Sequence, residues 1–190
     1  SGFRYDAAGH IEVPEDPEAY RSDFWPAILD NGSDFQYGEN LNDNYQSLYP
    51  KYMNIVAPSY GNIIRSAIRN GNLNASTVSN YRATGIDASQ LVTWVESHDN
   101  YTGDDATWKI NSETIKLGWA IIGARKDSTN LFFSRPDGSS TTDQWGNNKI
   151  GPVGNEDFYS TEVSEINWFK RNMASEPEEV MSNSTGNNSI

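Results

Sequence analysis

Cysteine is absent from the sequence. That excludes disulfides and thiolate metal sites, and it is compatible with a secreted bacterial protein. Histidine is scarce. His10 and His98 are the only two, and no His-x₃-His or similar spacing exists, which argues against a histidine-built metal centre. Basic residues are few, with 14 Lys and Arg against 26 Asp and Glu, for a formal net charge of −12. Nucleic acid is therefore not expected as a partner, because its phosphates would be repelled. No apolar run approaches the roughly 18 residues of a membrane span, and mean hydropathy is −0.71, so no membrane partner is expected either. Ser1 leads straight into a strand-like run and not into a signal peptide. At 190 residues the chain is long enough for one sizeable core. It is short of the about 250 typical of a complete eight-stranded barrel.

Acidic residues close several short apolar runs. Asp6, Glu39 and Asp99 end GFRYD, DFQYGE and LVTWVESHD, with gaps of 33 and 60 positions. A strand–helix–strand unit takes roughly 30 or more residues, so the gaps fit one unit and about two. Strands are expected at 3–6, 35–38, 53–57, 91–96 and 130–134, each rich in aromatic and β-branched residues. Helical patterns lie between them at 17–30, 60–69, 113–125 and 162–174. Pro26 is expected to kink or split the first, Ser112 to cap the third, and Asn70-Gly71 to stop the second. The 136–158 loop is too long for a plain connection. From Glu176 the chain turns acidic, then polar, and reads as a linker.

Alternating strands and helices imply an α/β fold with a parallel sheet. Parallel strands joined by helices bring their carboxyl ends to one face. Three acids distant in sequence would then surround one cleft, as glycosidases require. One carboxylate attacks the anomeric carbon. A second carboxyl protonates the leaving oxygen and then activates water. A third balances the charge of the transition state or grips sugar hydroxyls.

Arg4 precedes Asp6 by two, which places both on one side of a strand and keeps Asp6 ionised. Glu39 follows Tyr37 and Gly38 in a neutral neighbourhood, where a carboxyl stays protonated long enough to act as an acid. Taken singly, these signals have plainer readings. Arg-x-Asp on a strand is more often a structural ion pair, and Gly-Glu is common in turns. Ser97-His98-Asp99 is no relay if it lies on a strand, since neighbours there point to opposite faces. Loop aromatics such as Tyr49, Tyr101 and Trp145 are candidates to stack on sugar rings. The Asn100 sequon, beside the expected cleft, is read as a chance match.

The joint pattern resembles the α-amylase family of glycoside hydrolases, most nearly the secreted saccharifying α-amylases of Gram-positive bacteria. GFRYDAAGH at 2–10 resembles the nucleophile motif, FQYGENL at 35–41 the acid/base motif, and LVTWVESHDNY at 91–101 the third-acid motif. PSYGNIIRSAI (58–68), KLGWAII (116–122), LFFSRP (131–136) and IGPVGNEDF (150–158) are also similar. The resemblance implies Asp6 as nucleophile, Glu39 as general acid/base and Asp99 as transition-state stabiliser. It implies that Arg4 orients Asp6 and that His98 binds sugar. The backbone carbonyl of His10 is implied as one ligand of a structural calcium ion. Gly9 stands where the family commonly has a sugar-contacting lysine, which puts the product pattern in question.

The expectations are then these. The fold is a partial (β/α)₈ barrel comprising strands four to eight, with the N-terminal strands missing. Residues 1–178 belong to the barrel, and 179–190 form a linker and the start of a C-terminal β-domain. The parent enzyme is secreted and cleaves internal α-1,4 bonds of starch with retention. The substrate partner is an α-glucan. The chain alone is inactive and pairs with the missing barrel segment or another chain. The alternative is a non-catalytic glucan-binding or calcium-binding remnant.

Overall fold

Short β-branched and aromatic runs become strands where the pattern marks them. In the computed structural model, which describes residues 2–17, 21–30, 32–41, 45–147 and 154–183, the strands are β1 (Gly2–Tyr5), β2 (Phe35–Gly38), β3 (Asn54–Val56), β4 (Leu91–Trp94) and β5 (Thr129–Leu131). The helices are α1 (Phe24–Leu29), α2 (Pro58–Asn70), α3 (Ala75–Ser79), α4 (His98–Thr102), α5 (Ser112–Ala124) and α6 (Thr161–Asn172). The sheet runs β1-β2-β3-β4-β5, in the order of the chain. Tyr5 pairs with Gly38, Gly38 with Ile55 and Val56 with Val92, all in parallel. Sequential strand order with helices in the crossovers is the wiring of a (β/α)₈ barrel. The fold is α/β and forms part of such a barrel.

The chain divides into two compact units. The first comprises Ser1–Pro58, Arg82–Thr93 and Asp127–Thr129; the second comprises Ser59–Tyr81, Trp94–Lys126 and Asn130–Ile190. In the first, Ile55, Val56, Leu91 and Val92 are wholly buried on the central strands. Each such side chain contributes on the order of 1.5–3 kcal/mol by leaving water. β1 is the end strand of the sheet and is largely exposed, with Phe3 at 56%. Trp25 Nε1 donates to Ile11 O at 2.7 Å and Tyr49 Oη to the same oxygen at 3.1 Å. This pins the loop after β1.

In the second unit, α5 packs on α6, and Tyr60, Ile64, Tyr101, Trp119, Ile122 and Val163 are buried. Tyr60 Oη donates to Val78 O at 2.7 Å and accepts from Arg125 Nη1 at 2.9 Å. Burial pushes the Tyr60 hydroxyl up to about 12, against the opposing pull of Arg125. Arg125 also pairs with Glu178 at 2.9 Å, and Ala75 N donates to Ser182 Oγ at 2.6 Å. The acidic stretch after α6 is thus tied down at Glu178 and Ser182.

Three local expectations are corrected. Helix α1 begins at Phe24, so Pro26 sits in its first turn, where the missing N–H costs no intrahelical bond. The cap of α5 is Asn111, whose Oδ1 accepts from Glu113 N at 2.9 Å, and not Ser112. The run 91–96 stops pairing at Trp94. Tyr20 of the expected first helix, 150–153 of the IGPVGNEDF stretch and 184–190 of the expected linker lie outside the described residues.

Candidate active site

The parallel register sets Asp6 and Glu39 one residue beyond the paired ends Tyr5 and Gly38. Glu39 N donates to Tyr5 O at 2.9 Å, and Gly9 N to Glu39 O at 3.2 Å. Those bonds fix the backbone of Glu39 against the turn after β1. Ala7 sits at φ 47°, a left-handed conformation that non-glycine residues rarely hold. Its N–H donates to Glu39 Oε2 at 3.2 Å. Gly38 lets the strands close here, since a Cβ would stand 2.5 Å from Met53 Sδ and 2.8 Å from the Ala8 methyl. Gly9 has a packing reason too: a Cβ there would approach the buried Asn40 side chain to 3.0 Å.

Arg4 joins the two carboxylates. Its Nη1 lies 2.5 Å from Asp6 Oδ1, and its Nη2 lies 2.8 Å from Glu39 Oε1. Burial works to lower the Arg4 pKa, but the bond to Asp6 and the charges of Glu39 and Asp6 outweigh it and hold it above the ordinary value. Burial likewise raises the Tyr37 hydroxyl; nearby Arg4 opposes this and Glu39 adds to it. Asp6 is 76% exposed in its side chain and Glu39 only 12%. The expected orientation of Asp6 by Arg4 is present as geometry. The neutral neighbourhood expected for Glu39 is not: a guanidinium is its direct partner. The sequence could not show this, because Arg4 reaches Glu39 across the strand pairing and not along the chain.

His98 and Asp99 belong to the second unit. They form the first turn of α4, not a strand end. The Ser97 side chain accepts from Asn100 N at 3.3 Å, and Asn100 Oδ1 accepts from Ser97 N at 3.1 Å, a reciprocal capping box. Trp94 Nε1 donates to the same Asn100 oxygen at 3.2 Å. His98 Nε2 stands 3.4 Å from Asp99 Oδ1. Because they share a helical turn, the expectation that neighbours point to opposite faces is overturned. Ser97 is spent on the cap, so no nucleophile–histidine relay results.

Beneath α4 lies a pair that sequence reasoning missed. Arg135 Nε and Nη2 donate to the two Glu96 carboxylate oxygens at 2.8 and 2.9 Å. Arg135 also donates to Ile110 O at 2.8 Å and Thr107 O at 3.0 Å, and its guanidinium sits 5.6 Å from the Tyr101 ring centroid. The signal was present in WVESHD and LFFSRP, where one charge interrupts an apolar run. A charge at such a position goes into the core only with a partner.

Two of the three aromatics expected to stack on sugars are core residues. Tyr49 is 0% and Tyr101 1% exposed. Tyr101 Oη donates to Gln144 O at 2.5 Å. Trp145 remains 44% exposed, edge-on to Tyr101 at 6.4 Å. His10 is exposed beside the turn after β1. Among the described residues no group of three or more His, Asp or Glu could hold a metal. One backbone carbonyl is a small part of the six to eight oxygens that calcium takes, so the residues described here do not by themselves fit the ion. No helix among them is long and apolar enough to cross a membrane.

No family model matches the chain. Curated relatives do. The chain is 38% identical to a protein named alpha-amylase from Butyrivibrio fibrisolvens over 219 aligned positions, covering 98% of this chain and 22% of that protein. Over nearly its whole length the chain is similar to part of an α-amylase. A second alpha-amylase, from Clostridium acetobutylicum, is 32% identical over 189 positions, covering 94% of this chain and 23% of that protein. The chain thus spans about a fifth of the length of these relatives.

Proposed function

We propose that this chain carries the acid groups of an enzyme that hydrolyses internal α-1,4-glucosidic bonds of starch and related glucans with retention. The observation that carries the reading is the single Arg4 fork holding both Asp6 and Glu39. One guanidinium is a short bridge. It keeps two carboxyl groups at one sheet end, as the two-carboxylate reaction requires, and retention is the course the resemblance implies.

In this reading the Asp6 carboxylate attacks the anomeric carbon as Glu39 gives its proton to the departing glycosidic oxygen. A covalent glycosyl ester on Asp6 forms and the C–O bond to the leaving glucan breaks. Glu39 then takes a proton from water, whose oxygen displaces Asp6 and restores both groups. Arg4 holds the Asp6 carboxylate in place through their ion pair. The resemblance adds Asp99 as the acid that grips sugar hydroxyls and His98 as a sugar-binding group. No step passes through calcium. The enzyme acts outside the cell, and the chain works with further segments of a larger protein.

The Arg4–Glu39 ion pair also favours a second reading, a glucan-binding remnant, because a paired carboxylate is a poor acid. A chimera decides between them. This chain replaces the matching segment of the Butyrivibrio fibrisolvens protein, and hydrolysis of a blocked maltooligosaccharide is followed. Turnover is expected, and Asp6→Asn should lower it by about 10⁴-fold or more while glucan binding persists. Turnover that survives Asp6→Asn removes Asp6 from its role. Binding without cleavage in the unsubstituted chimera establishes the remnant.

A further inference from the structure

We propose that the second unit contains a binding site for a small oxyanion, between α2 and the segment 105–110. A cavity of about 200 Å³ opens there, lined by Asn62, Arg65, Ser66, Arg69, Asp105 and Thr107 among others. The volume suits a tetrahedral ion such as phosphate. No aromatic ring lines it, so it offers no platform on which a sugar would stack.

The cavity is built from below by Arg65, which is only 6% exposed. Arg65 Nη1 donates to Val95 O, and Nη2 donates to Asn62 Oδ1 at 2.5 Å. These bonds hold the guanidinium in one orientation, the condition for forked recognition of an oxyanion. Its charge is poorly matched. Asp105 Oδ2 stands 3.5 Å away and is already accepting from Asn100 Nδ2 at 2.7 Å. Arg69 lines the same cavity and makes no ion pair among the described residues. Two cations therefore face one shared carboxylate, in a chain of net charge −12. Burial lowers the Arg65 pKa, Asp105 and Glu96 oppose that, and Arg69 adds to it. A bound anion would relieve both burdens. Thr107, 1% exposed, completes the lining.

Occupancy would be felt at α4. An anion on Arg65 loosens its hold on Asp105, whose partner Asn100 closes the α4 cap and accepts from the Trp94 indole.

Calorimetric titration of the chain tests the site, with sodium phosphate, glucose 6-phosphate and sodium chloride at matched ionic strength. Saturable phosphate binding is expected, with none for chloride. Arg69→Gln should weaken it at least tenfold, and Ser66→Asp, which puts a carboxylate at the rim, should abolish it. Both positions are exposed, and a thermal melt confirms that each variant folds. Glucose 6-phosphate binding as tightly as phosphate assigns an ester as the ligand; weaker binding assigns the free ion. Phosphate no tighter than chloride, or phosphate binding untouched in both folded variants, overturns the proposal. In a ¹⁵N–¹H spectrum the Trp94 indole resonance should move with phosphate, and not in Ser66→Asp. A stationary resonance in the saturated wild type overturns the link to α4.

Discussion

Removing either member of the Glu96–Arg135 pair should cost far more than an ordinary surface change. The two side chains are 1% and 9% exposed, and the guanidinium meets both carboxylate oxygens. Breaking a buried pair strands the surviving charge, at about 3–5 kcal/mol. For a chain of 190 residues each kcal/mol moves the midpoint by about 2–4 °C, so Glu96→Ala should melt roughly 6–20 °C lower. Arg135→Met should cost more than Glu96→Ala. It leaves the Glu96 charge and also frees the Ile110 and Thr107 carbonyls, each worth about 1–3 kcal/mol if left unsatisfied. The double variant Glu96→Leu with Arg135→Met removes both charges and should lose less than the two single losses added together. Thermal melts followed by circular dichroism, with urea unfolding as a second probe, supply the four corners of the cycle. A single variant within about 1 kcal/mol of wild type, or strict additivity, would show that the pair is solvated and refute the burial argument.

Tyr60 should set an alkaline limit. Its folded pKa of about 12 exceeds the ordinary value of 10.0, so the unfolded chain ionises first, and stability complete below pH 10 drains away between about pH 10 and 12. The full loss is about 2–3 kcal/mol, about half of it reached by pH 11; melts at pH 8 and 11 should show that half in wild type and much less in Tyr60→Phe, and equal losses in both proteins would contradict the assignment. Tyr49→Ala should cost about 3–5 kcal/mol as a core truncation, whereas Trp145→Ala should stay within about 1 kcal/mol in urea unfolding. Gly38→Val should prevent the close approach of Met53 and Ala8 at the sheet end, with loss of cooperative unfolding or a cost above about 3 kcal/mol; a melt like that of wild type would mean the turn gives way freely.

What could be read directly from residues was what repeats locally. The five strand runs and the amphipathic stripe Ile63, Ile64, Ala67 on α2 came through because period and turn chemistry agree there, with Gly71 at φ 67° ending the helix as Asn70-Gly71 implied. Asp6 and Glu39 meet at one sheet end because parallel register is set by those same runs. The partners of charged groups were not legible. Arg4 reaches Glu39, Glu96 reaches Arg135 and Arg65 reaches Asp105 over 35 to 40 positions, and chain spacing carries no record of such contacts. Tyr49 and Tyr101 were misread for a related reason. They occupy turn-rich segments, yet the segments fold inward because each hydroxyl finds a backbone carbonyl, Ile11 O and Gln144 O. Asp99 followed a strand-like run, but Ser97 and Asn100 close a capping box that starts a helix first.

The proposal that Asp6 attacks sugar carbon is tested most directly by trapping the ester. The Butyrivibrio fibrisolvens chimera is incubated with a fluorinated maltosyl fluoride that forms the ester quickly and hydrolyses slowly, and the labelled peptide is sequenced by mass spectrometry. One glycosyl group on Asp6, absent from Asp6→Asn, is the expected result. A label on Glu39 or Asp99, or turnover with no labelled carboxylate at all, would contradict the account.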